Sequence, residues 1–117
     1  PEIFRIAMQS DQPPHLFAVI ANWPNRRTQH WVRLLEARAI ENLAYVAGIN
    51  RCGSDPHLDY DGSSMIIDPS GKVLADARKS EGIISSKLNL ETVREWRSQF
   101  PALRDQRAMC ALQPKRK

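Results

Sequence analysis

Ala21-Asn22-Trp23-Pro24, then Asn25-Arg26-Arg27, then TQHWVRLLEARAIEN from Thr28 to Asn42 is the stretch on which the fold turns. An apolar run, Leu16-Phe17-Ala18-Val19-Ile20-Ala21, precedes it, and another, Leu43-Ala44-Tyr45-Val46-Ala47-Gly48-Ile49, follows it. Short apolar runs on either side of a helical pattern read as strand, loop, helix and strand, a β-α-β unit of a layered α/β protein. In such units the substrate-facing groups sit where the first strand ends, which marks 21–24 as the expected functional surface. The run Leu16–Ala21 has no polar interruption, so it predicts a central strand covered on both faces.

Within the helix, Trp31, Val32, Leu34, Leu35, Ala37, Ala39, Ile40 and Leu43 occupy most of the circumference, which predicts a sheet on one side and a second cover on the other. Asn25 or Thr28 is the expected N-cap. Arg33, Glu36, Arg38, Glu41 and Asn42 are interspersed among the apolar positions. They fit ordinary i,i+3 and i,i+4 pairing, and equally a polar network at a subunit interface or pocket.

Upstream, Pro1 to about Gln9 predicts a helix, with Pro first, Glu2 against the helix dipole, and Ile3, Phe4, Ala7 and Met8 as its apolar stripe. Asp11-Gln12-Pro13-Pro14 ends it. Downstream, Asn50 to Gly62 is polar and reads as a loop. Ser63–Ile67 and Val73–Ala75 read as a hairpin across Asp68-Pro69-Ser70-Gly71, which has the residues that a type I turn prefers. Gly82–Leu88 reads as a further strand. Asn89 then caps a helix whose Leu90, Val93, Trp96 and Phe100 share a face until Pro101.

The 117 residues suffice for one domain with a real core, here 1–108, followed by a basic tail, 109–117. No apolar run approaches the roughly 18 residues of a membrane span, and Pro1-Glu2-Ile3-Phe4-Arg5 does not read as a signal peptide. Two cysteines, Cys52 and Cys110, are too few for a disulfide scaffold, so a reducing, cytoplasmic setting is expected. The net charge of +4 is concentrated at Arg104, Arg107 and Lys115-Arg116-Lys117, without an aromatic platform, and does not point to nucleic acid.

Cys52 is a candidate nucleophile with His30, His57 or Glu41 as conceivable bases, but no motif surrounds it and a structural thiol is the expectation. Asp55-Pro56-His57-Leu58-Asp59-Tyr60-Asp61-Gly62 has alternating oxygen ligands like a calcium loop, yet lacks the opening Asp and the closing bidentate Glu. His15, His30 and His57 lack zinc spacing, and there is no glycine-rich phosphate loop, so neither metal nor cofactor is expected.

The ordered series Ala21-Asn22-Trp23-Pro24, His30-Trp31, Leu34–Asn42, Ala44–Arg51, Tyr60-Asp61-Gly62-Ser63-Ser64, Asp68–Gly71, Arg94, Phe100-Pro101 and Asp105 resembles the C-terminal half of the nitrilase superfamily, the carbon-nitrogen hydrolases, most closely its omega-amidase-type branch. The resemblance implies part of a four-layer α-β-β-α sandwich that dimerises. It also implies hydrolysis of small linear amides by a Glu, Lys and Cys triad through a thioester, without cofactor. In the family the triad precedes the residues matched here, and Pro1-Glu2 looks like the continuation of the nucleophile turn. No catalytic residue is therefore expected in this chain. The alternative is a non-catalytic fragment or pseudo-enzyme acting as an interaction module. Carried over from the family are Asn22, Trp23 and Pro24 at the substrate, and Trp31, Arg38, Glu41 and Asn42 at an interface of a homodimer or larger even-numbered oligomer. The family's N-terminal half would be a further partner.

Overall fold

The computed structural model describes residues 2–106. The expected boundary at 108, the basic tail and Cys110 lie outside the described residues. Helix α1 spans Glu2–Met8, strand β1 Leu16–Ala21, and a 3-10 turn, Asn25–Arg27, leads into helix α2, Thr28–Asn42. Strand β2 (Tyr45–Asn50), the short strands β3 (Cys52–Ser54) and β4 (Asp59–Asp61), β5 (Met65–Ile67) and β6 (Val73–Asp76) follow, then helix α3 (Leu90–Gln99) and a second 3-10 turn, Ala102–Asp105.

The main sheet has the order β1-β2-β5-β6. The β1–β2 pair is parallel, with Leu16 opposite Tyr45 and Ala21 opposite Asn50, as a crossover through α2 requires. The other neighbours run antiparallel. Because alternate residues share a face, Phe17, Val19, Val46, Gly48, Met65 and Ile67 point one way. Against that face α2 lays Trp31, Leu35 and Ala39, forming the core with Val46, Met65 and Ile67. Gly48 lets the helix come this close: a Cβ there would sit 2.3 Å from Leu35 Cδ1 and 3.1 Å from the Trp31 ring.

The other face carries Leu16, Ala18, Ile20, Ala47, Ile49 and Ile66, and Ile20 is 81% exposed. An open apolar groove runs along it, lined by Ala47, Ile49, Ile66, Ile83 and Ile84. One sheet and one helical layer make a slab 19 Å thick. The expectation of a central β1 covered on both faces is therefore corrected for the described residues: among them β1 is an edge strand with alternating half-buried and exposed residues. Nor do the described residues alone enclose α2 all round. Its buried stripe is Trp31, Leu35, Ala39 and Asn42, whereas Leu34 and Ile40 lie 43% and 50% exposed.

Several local expectations also change. Neither Asn25 nor Thr28 caps α2, because the 3-10 turn supplies the first bonds and the N-cap position falls on Arg27 without a side-chain cap. Leu43 is not in the strand: it takes the left-handed conformation that ends α2, its N–H bonded to Ala39 and Ile40 carbonyls. The polar stretch 50–62 is a small hairpin, with Cys52 opposite Asp61 and Ser54 opposite Asp59. Residues 82–88 form no strand and pair with no described strand, and Ile83 is 99% exposed. The turn at Asp68–Gly71 forms as read, with Gly71 N–H bonded to the Asp68 carbonyl at 3.0 Å. Gly71 sits at φ +90° and against Ile40, where a side chain would be both strained and obstructed. Asn89 caps α3 by accepting from Glu91 N–H.

α3 is held to the end of the sheet where β1 and β2 begin. The Arg97 guanidinium donates to the Leu43 carbonyl at 3.0 Å and to the Pro14 carbonyl at 2.7 Å. Burial lowers its pKa from the ordinary guanidinium value.

Candidate functional site at the strand ends

At the opposite end of the sheet, β1 and β2 finish side by side, and Arg51 N–H donates to the Ala21 carbonyl at 3.1 Å. The chain then leaves β1 through Asn22, which is exposed, and Trp23 and Pro24, which are half-buried. What fixes this loop is Asn50, the last residue of β2 and 92% buried. Its Oδ1 accepts from Trp23 N–H at 2.7 Å, and its Nδ2 donates to the Trp23 carbonyl at 3.1 Å and to the Gly62 carbonyl at 2.8 Å. Both amide protons and the carbonyl oxygen are thus used, and the direction of each bond defines how the amide is turned. Asn50's own N–H is bonded by Ser64 Oγ at 2.9 Å.

The Trp23 side chain is held as firmly as its backbone. Its indole Nε1 donates to the Arg27 carbonyl at 2.7 Å, its ring lies 5.9 Å from that of Trp31, and the Arg27 guanidinium stands 5.6 Å from its centroid. Trp31 in turn donates from Nε1 to the buried Ser63 carbonyl at 2.9 Å. Beside the loop, Asp61 Oδ2 accepts from Lys79 Nζ at 3.2 Å and faces the Thr28 hydroxyl at 3.3 Å. The hairpin next to it is closed by Arg51, Asp55 and Tyr60: the Tyr60 hydroxyl donates to Asp55 Oδ2 at 2.8 Å, while Arg51 pairs with the same oxygen and stacks 4.5 Å from the Tyr60 ring. The N–H of His57, then the Tyr60 hydroxyl, lower the Asp55 pKa, and the Asp55 bond raises that of Tyr60.

The structure therefore brings Asn22, Trp23 and Pro24 to one strand-end surface and adds Asn50 and Lys79, which the sequence reading did not single out, and Asp61, which it read only as part of a calcium-like loop and of a family motif. The signal for Asn50 was present: a polar residue closing an otherwise apolar strand. Cys52 packs its sulfur against Gly62, where a Cβ would come within 2.4 Å, and has neither His30, His57 nor Glu41 bonded to it. Of the three acidic residues of 55–62, Asp55 is engaged within its own turn and Asp61 with Lys79; no three metal-ligating side chains converge among the described residues.

The residues expected at an interface are spread more widely. Trp31 is in the core at 3% exposure. Arg38 pairs with Glu41 along the helix and lies 5.5 Å over the Phe4 ring of α1. Asn42 is fully buried, donates to the Arg38 carbonyl, and has no donor for its Oδ1. Only Glu41 of the four is exposed.

A parallel strand pair with a pinned polar loop at its carboxyl ends is a ligand-facing arrangement of α/β enzymes. The profile of the carbon-nitrogen hydrolase family matches residues 1–98, and the chain belongs to that family. It is 42% identical over 104 residues to the omega-amidase YafV of Yersinia enterocolitica, a match covering 87% of this chain and 41% of that protein. It is 41% identical over 108 residues to the 2-oxoglutaramate amidase of Paenarthrobacter nicotinovorans, covering 92% and 36%. Among solved structures, it superimposes on XC1258 of Xanthomonas campestris, a CN-hydrolase superfamily protein with an arsenic adduct in its active site. The TM-score is 0.86 at 35% identity, over 93% of this chain and 43% of that one. The chain thus spans about two fifths of the length of these relatives. Its α/β layer is part of the four-layer α-β-β-α sandwich of the family.

Proposed function

We propose that these residues form the C-terminal part of an amidase that hydrolyses the terminal amide of a small linear 2-oxo acid and releases ammonia. The observation that carries this reading is the likeness to the two amidases named above, at 41–42% identity across nearly the whole chain. Catalytic cysteine, glutamate and lysine would come from the part of the longer protein that these residues do not include. The cysteine would attack the amide carbon, ammonia would leave, and water would cleave the thioester. The role of the present chain is to wall the pocket with Asn22, Trp23 and Pro24, held in place by Asn50.

In this reading the working enzyme is a symmetric homodimer or larger even-numbered oligomer in the cytoplasm, paired through the outer face of α2 near Arg38, Glu41 and Asn42. Exposed Ile40 on α2 and Ile3 and Ile6 on α1 support a contact there. Trp31 would support that contact from within the core. Sedimentation of the full-length product would test it: a wild-type monomer at micromolar concentration refutes the pairing.

The activity itself is tested by assaying the full-length gene product for ammonia release from 2-oxo-acid amides, neutral amides and nitriles. Release from the first class is expected. Silence across all three would refute the enzyme reading and favour a non-catalytic interaction module.

A further inference from the structure

We propose that Arg27 receives the carboxylate of the substrate and so makes the enzyme selective for anionic amides; this rests on the 2-oxo-acid reading above. Such a substrate carries the reacting amide at one end and a carboxylate at the other, and a site that prefers it needs a cation fixed at a distance from the chemistry. Four basic side chains lie close to the strand-end loop in sequence or space: Arg26, Arg27, Arg51 and Lys79. Arg51 is already committed to Asp55 and the Ser54 carbonyl, and Lys79 to Asp61.

Arg26 and Arg27 have no carboxylate partner among the described residues, and of the two only Arg27 is held against Trp23. It is held twice, its carbonyl by the Trp23 indole N–H at 2.7 Å and its guanidinium over the same ring at 5.6 Å. The ring contact restrains the cation, and with no carboxylate partner among the described residues its fork of N–H donors is available to the two oxygens of a carboxylate. A cation restrained in this way loses less freedom on binding than an arginine on an unsupported chain. The same contacts join the cation to the loop that Asn50 pins, so the carboxylate site and the pocket wall are directly connected.

The test compares Arg27→Gln and Arg27→Lys in the full-length gene product, with 2-oxoglutaramate and a neutral amide of equal chain length as substrates. Arg33→Gln, on the exposed face of α2, controls for net charge. Loss of a charged bidentate contact is expected to raise KM for 2-oxoglutaramate about 10- to 100-fold, with kcat changed far less. The loss on the neutral amide should be at least tenfold smaller, and Lys should recover only part of it, since it lacks the planar fork. Inhibition of neutral-amide hydrolysis by 2-oxoglutarate should weaken in parallel. Equal losses on both substrates, or an unchanged KM for 2-oxoglutaramate, would overturn the role of Arg27 alone. A wild-type enzyme that hydrolyses neutral amides but not 2-oxoglutaramate would instead overturn the substrate reading, and this inference with it.

Discussion

Asn50→Ala should uncouple the loop from the sheet, and its cost follows from three hydrogen bonds. Truncation removes the acceptor of Trp23 N–H and the donors to the Trp23 and Gly62 carbonyls. At about 1 kcal/mol net for each, the loss is about 3 kcal/mol, and water reaching the half-buried Trp23 peptide would bring it nearer 2. The Gly62 carbonyl lies deeper and sets the floor. Urea unfolding of the full-length product, followed by far-UV circular dichroism, measures the change, and an unchanged m-value would show that the denatured state is the same. Asn50→Asp is the sharper variant. It keeps the acceptor for Trp23 N–H but turns a carboxylate oxygen toward two carbonyl oxygens, so it should cost at least as much at neutral pH and recover partly in acid. Hydrogen exchange at the Trp23 amide should accelerate in both. A loss below about 0.5 kcal/mol in Asn50→Ala, with Trp23 still protected, would refute the clamp.

Trp23→Ala should lower kcat/KM for amides far more than it lowers stability, whereas Trp31→Ala, in the core, should cost about 3–5 kcal/mol; comparable melting losses for the two would return Trp23 to a packing role. Gly48→Ala should destabilise by about 1–3 kcal/mol, because its methyl group meets Leu35 and Trp31, and a neutral result in thermal unfolding would show that α2 can move away freely. The β3–β4 hairpin should have two pH limits, read by amide exchange. The lowered pKa of Asp55 means that the native state binds its proton less readily, so the contribution is complete above the ordinary value of 3.8 and fades as pH falls through the lowered one. Tyr60, raised above 10.0, contributes fully below that value and loses its contribution as pH rises through the raised one. Asp55→Asn should abolish the acid limit, and an acid limit that persists in this variant would exclude Asp55 as its source.

How much of this was legible depends on how local the determinants are. The bounds of α2, the β1 run, the Asp68–Gly71 turn and the Asn89 cap could be read because each is set by residues within a few positions of one another. The β3–β4 hairpin could not, since its strands are three residues long and polar, and its turn is held by the Asp55 carboxylate accepting from His57 and Leu58 N–H. Residues 82–88 have a strand's composition, but a ladder needs a neighbour, and no described strand pairs with them. Asn50 looked like the first residue of a loop because its three partners lie 12 and 27 positions away.

The misplacement of β1 follows from the same distinction and bears on the function. An uninterrupted apolar strand states that both faces want cover, and both faces of β1 are indeed apolar: Phe17 and Val19 on one, Leu16, Ala18 and Ile20 on the other. It does not state which element supplies the second cover. Within the described residues, α2 supplies the first and the second face stays open, continued by Ala47, Ile49 and Ile66 across the sheet. A four-layer α-β-β-α sandwich places a second sheet against such a face. That arrangement leaves the strand ends, and with them the Asn22-Trp23-Pro24 loop, on the rim between two sheets. In the proposed amidase, a pocket wall pinned from behind by Asn50 would keep its shape while the reacting groups were supplied from across the rim.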